Sequence, residues 1–65
     1  MTENQAKALT TIAHKIIKLE TSLEKKYISE ELRHNLNSNL DGIEFTLIAL
    51  DMKDEVINII EQIKN

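Results

Sequence analysis

The chain has 65 residues, a net charge of −3, no cysteine, no proline, one glycine and two aromatic residues. That length allows one domain and buries only about 60% of the unfolded surface, so the fold by itself is marginal. The absence of cysteine excludes disulfides, cysteine-ligated zinc and a thiol nucleophile, and leaves self-association as the expected source of further buried surface.

The lack of turn residues disfavours a β-rich fold. Leu, Ile and Val supply 19 residues, ten of them Ile, which disfavours disorder. No apolar run approaches the roughly 18 residues a membrane-spanning helix needs, so no membrane partner is expected. The polar N-terminus without a signal-peptide core points to the cytoplasm. Seven Lys against one Arg, with abundant Ile and Asn, suggest an AT-rich genome of the kind found in Gram-positive bacteria, their phages and mobile elements.

Thr2-Glu3-Asn4-Gln5 has the form of a capping box. Behind it, Leu9, Ile12, Ile16, Leu19 and Leu23 repeat at steps of three and four, with Ala6, Ala13 and Ile17 widening the stripe. The first helix is expected over about 3–26, ending with Lys25 and Lys26 where cations favour the helix dipole. Ser29 reads as the N-cap of a second helix, with Glu30 and Glu31 in its first turn. Leu32, Leu36, Leu40, Ile43, Leu47 and Leu50 then carry one apolar face over about 30–50. The stretch from Asn35 to Gly42 is rich in poor helix formers, but the apolar spacing crosses it in phase, so the helix is expected to continue, weak or bent near Asp41-Gly42.

A second apolar stripe, Phe45, Ile48 and Met52, lies to one side of the first, and a helix apolar on two sides must be covered on two sides. Asp51 reads as the N-cap of a third helix over about 53–64, with Val56, Ile59, Ile60 and Ile63 on one face and Ile57 to one side. At this length it needs a packing partner to form at all. The expected fold is all-α and a single domain: an antiparallel helical hairpin plus a short third helix, a three-helix bundle, assembled as a homodimeric helical bundle. Residues 1–26 carry +2 and residues 27–65 carry −5, which favours the first helix lying against the later ones.

Candidate chemistry is thin. His14 and His34 stand 20 residues apart on different helices, without the spacing of a metal pair. Glu30-Glu31 and Asp51, Asp54 and Glu55 sit where helix starts favour negative charge. Ser22, Ser29 and Ser38 have no nucleophile signature. No catalytic residue, metal or cofactor is expected. Lys7, Lys15, Lys18 and Lys25 lie off the apolar stripe of the first helix and form a possible basic face, although an acidic chain with one Arg is poorly suited to phosphate.

Two family resemblances can be drawn residue by residue. In its length, its Met1-Thr2 start, Ala8-Leu9 and the hairpin position near Ser29, the chain resembles plasmid copy-number regulators. Those proteins are helical hairpins that dimerise into four-helix bundles and bind paired RNA loops. His14 stands where that family places an aromatic, and the later helices match poorly. Leu36-Asn37-Ser38-Asn39-Leu40-Asp41 is similar to the Ser-x-x-Leu-Asp core of small helical-hairpin phosphatases of sporulation response regulators, with Asn37 in the serine position. The first resemblance implies an RNA-binding hairpin dimer, and the second an aspartyl-phosphate phosphatase acting through Asp41.

The leading expectation is a small, non-enzymatic regulatory or adaptor protein, dimeric, that binds another protein through an apolar helical face. The residues expected to carry it are Tyr27, Phe45, Ile48, Met52 and Ile57, as docking face or as homodimer seam.

Overall fold

The computed structural model describes residues 2–65; Met1, part of the resemblance to copy-number regulators, lies outside them. The described residues form three helices and no strand: α1 (Glu3–Leu23), α2 (Glu30–Ala49) and α3 (Lys53–Lys64). The Thr2 capping box is formed. Gln5 N–H donates to Thr2 Oγ1 at 3.1 Å, and Thr2 N–H donates to Gln5 Oε1 at 2.9 Å. Ser29 caps α2 in the same sense, accepting from Leu32 N–H at 3.1 Å.

α1 closes at Leu23 rather than near Lys26. Its apolar stripe ends there, so the following turn has nothing to pack on. Glu24 N–H is shared between the carbonyls of Glu20 and Thr21, a tightened last turn. α2 runs unbroken through Asp41-Gly42, with ordinary helical backbone at the glycine.

The start of α3 departs from expectation. Asp51 does not cap it; the N-cap is Met52, with no side-chain hydrogen bond. Asp51 instead ends α2, with φ of 57°, in the left-handed region. Asp51 N–H donates to Ile48 O at 3.0 Å and Met52 N–H to Leu47 O at 2.9 Å, the two bonds of a Schellman motif. Met52, the residue after the left-handed one, folds back onto the core beside Leu47, as that motif favours.

α3, not α2, is the principal partner of α1. It runs parallel to α1: Val56 joins Leu9 and Ala13 in the core, and Lys64 Nζ reaches Glu20 Oε1 at 4.0 Å. Leu47 adds the contribution of α2 to the same cluster, flanked by Ile12, Ile16, Ile43, Ile59 and Ile60. Ala13 and Val56 are small, which lets α1 and α3 approach closely. α2 lies antiparallel to α1 and packs only sparsely on α3.

The result is open. The radius of gyration is 12.8 Å against about 10.7 Å for a compact chain of this length. The smallest dimension of the molecule is only 16 Å.

Candidate functional site

α2 carries most of the unpartnered surface. Leu36 and Leu47 are its only buried residues; Leu40 and Ile43 are half-buried. Because α1 stands on one side of α2 and α3 barely touches it, both flanks of α2 are open to grooves.

The first groove lies between α2 and α3 and has a volume of about 650 Å³. Ile16, Leu47, Val56 and Ile60 form its apolar floor, and Leu40 and Ile57 rise on its two walls. Its rim is charged. Lys53 Nζ meets Glu44 Oε1 at 3.0 Å, bridging α3 to α2, while Asp41 and Glu61 line the walls further along. Phe45 and Ile48 stand outside this groove, on the side of α2 turned away from α1, with 76% and 55% of their surfaces exposed. The two are three residues apart, on adjacent turns of one helix, and so are neighbours on its surface.

Of the five residues expected at an interface, Ile57 lines the α2–α3 groove, while Phe45 and Ile48 stand exposed on α2 outside it. Tyr27 is 88% exposed, but it lies in the α1–α2 connection at the other end of the hairpin, where Lys26 Nζ sits 5.7 Å from its ring centroid. Met52 is half-buried and packs against the core cluster, just after the left-handed turn at Asp51.

Leu32 and Leu50 depart in the opposite sense. The helical spacing places both on the core face, yet they are 48% and 60% exposed. They sit at the two ends of α2, beyond the part that α1 and α3 cover.

The second groove, of about 440 Å³, opens on the other flank of α2, against Ile12 of α1. Asn39, Gly42, Ile43 and Thr46 form its α2 wall. Thr46 Oγ1 donates to the Gly42 carbonyl at 2.9 Å, so its hydroxyl is turned back along the helix. A Cβ placed on Gly42 would meet nothing within 4 Å. Sequence reasoning passed over this groove. Its signal was Ser38, Asn39 and Gly42, which read as poor helix formers until they are mapped onto this flank, whereas Asn37 of the same stretch falls on the first groove.

Lys7, Lys15, Lys18 and Lys25 are all exposed, the first three opposite or beside the packed face of α1 and Lys25 in the connection after it. Lys7 Nζ lies 3.6 Å from Glu3 Oε1, an exposed pair of little energetic weight. α1 lies against both later helices, but the ion pair that joins it to α3 has the opposite sense to its net charge. Glu20 of α1 meets Lys64 of α3, and the lysines of α1 point to solvent, because the apolar stripe sets the orientation of α1. His14 and His34 are exposed on different helices, and among the described residues no three His, Asp or Glu side chains are placed to share a metal ion. Asp41 lies on the groove wall with Asn37, one turn away on α2. No helix of the described residues is long and apolar enough to cross a membrane.

No family model, curated protein or solved structure matches the chain.

Proposed function

We propose that this protein is a non-enzymatic adaptor that docks the α2–α3 side of its surface, centred on Phe45 and Ile48, onto another polypeptide. The observation that carries this reading is the outward placement of those two side chains, one turn apart on α2, beside an apolar groove with Ile57 on its far wall. An amphipathic helix is the occupant such a groove suits: apolar residues at successive turns meet the floor while polar residues meet the charged rim. Burying Phe45 and Ile48 removes two large apolar side chains from water, worth about 1.5–3 kcal/mol each when complete.

The test uses a photo-crosslinking amino acid at position 45 or 48 in the producing cell, with Asn4 and Thr11 on the exposed surface of α1 as control positions. The expected outcome is one discrete crosslinked polypeptide from positions 45 and 48 and none from the controls. No crosslinked species from either α2 position overturns the reading.

A second reading is supported by the exposed lysines of α1. Lys7, Lys15 and Lys18 are exposed on α1 and Lys25 just beyond its end, where they would meet phosphates of a nucleic acid. Affinity for duplex RNA that falls steeply with added salt supports it, and binding that is absent or indifferent to salt removes it.

A further inference from the structure

We infer that the opposite flank of α2, away from the docking surface, is the seat of a second copy of this chain, packed antiparallel about a two-fold axis near residue 41. Four observations carry this.

The first is charge. Between Leu32 and Leu50, the residues on this flank are Leu32, Asn35, Asn39, Gly42, Thr46 and Leu50, spaced by three and four, and none is charged. The other side of the same helix carries Arg33, Asp41 and Glu44. Two copies of net charge −3 repel each other, and a charge-free flank is the surface they share without bringing like charges into contact.

The second is symmetry. Leu32 pairs with Leu50, Asn35 with Thr46 and Asn39 with Gly42 about a common midpoint close to residue 41. In an antiparallel two-fold contact, residue i of one copy faces residue j of the other and j faces i. The flank therefore matches itself. Each exposed leucine at one end meets the leucine at the other end of the second copy. The amides of Asn35 and the hydroxyls of Thr46 stand opposite one another, and Asn39 lies over Gly42, where absence of a side chain lets the backbones approach.

The third is the glycine itself. Gly is unfavourable in a helix interior, and within one chain nothing requires it at position 42: its backbone is ordinary helix and the space above it is open. The open space borders the second groove, with Ile12 and Ile43 half-buried along it. A closely packed helix from a second copy accounts for both the missing side chain and the groove.

The fourth is area. The chain exposes 5144 Å², against about 4,250 Å² for a compact protein of this mass. The surplus of roughly 900 Å² is close to the roughly 800 Å² that each partner contributes to a stable interface of standard size. A fold this thin gains most from a partner that is present whenever the chain is, which a second copy always is.

The experiment is sedimentation equilibrium on the wild-type chain, Gly42→Ala and Phe45→Ser, with circular dichroism on each. Wild type is expected to dimerise in the micromolar range. Gly42→Ala is expected to raise the dimer Kd at least tenfold while keeping or increasing helix content, since alanine favours the helix and disfavours only the close approach. Phe45→Ser, on the docking side, is expected to leave the dimer intact. Disulfide trapping provides a second measurement: the chain has no cysteine, so an equimolar mixture of Leu32→Cys and Leu50→Cys should oxidise to a mixed dimer in excess of either like-with-like dimer. A wild-type monomer at millimolar concentration, an unchanged Kd in Gly42→Ala, loss of the dimer in Phe45→Ser, or predominance of like-with-like disulfides each overturns the proposal. None of these outcomes depends on whether position 45 crosslinks to a foreign polypeptide, so the two proposals fail separately.

Discussion

Asp51 shows how a single residue redirects the chain. It holds a left-handed backbone that glycine adopts without penalty and a β-branched residue resists. Asp51→Gly is expected to stabilise the fold by about 0.5–1 kcal/mol, and Asp51→Val to destabilise it by about 1–3 kcal/mol, read as shifts in urea midpoint at one fixed protein concentration. Leu47 is the residue through which α2 reaches the core shared by α1 and α3. Leu47→Ala is expected to cost about 2–5 kcal/mol. Against a total of roughly 3–10 kcal/mol for a chain of this length, loss of cooperative unfolding is the outcome to measure.

Among the elements, those with local signals were legible. The Thr2 box and the Ser29 cap each depend on residues within four positions, and both formed as the sequence indicated. The Asp51 cap did not, because the same residue type serves a helix start or a left-handed helix end, and only the meeting of α2 with α3 decides between them. The end of α1 was placed too late for a related reason: the terminal lysines suit a helix C-terminus, but without apolar residues beyond Leu23 no packing holds a further turn. α3 is too short to persist alone. A peptide of residues 53–64 is expected to be largely coil by circular dichroism, its helix depending on Val56, Ile59 and Ile60 meeting α1. Gly42→Ala, measured below the concentration at which dimers form, is expected to stabilise α2 by about 1 kcal/mol, since the added methyl meets no atom of its own chain.

At the scale of the molecule, the proposed docking side and the proposed dimer flank lie on different sides of one helix, so the two proposals separate by mutation. Ile48→Glu is expected to abolish crosslinking at position 45 while leaving the dimer Kd within twofold. Salt discriminates further. Copies with net charge −3 repel, so raising ionic strength is expected to tighten self-association modestly, whereas binding to nucleic acid through the α1 lysines weakens under the same change. Sedimentation across a salt series reads the sign directly.

The sequence alone determined the number of helices, their approximate extents, two of their caps and the presence of more apolar surface than one short chain hides. These follow from local periodicity and from residue types whose preferences act over a few positions. The tertiary structure decided which surface remained outside. Periodicity placed Leu32 and Leu50 inward, and the fold left both exposed. Burial depends on how far the neighbouring helices extend and on which of them pack closely. α3 settles on α1 through the small residues Ala13 and Val56, and α2 is left standing with both flanks open.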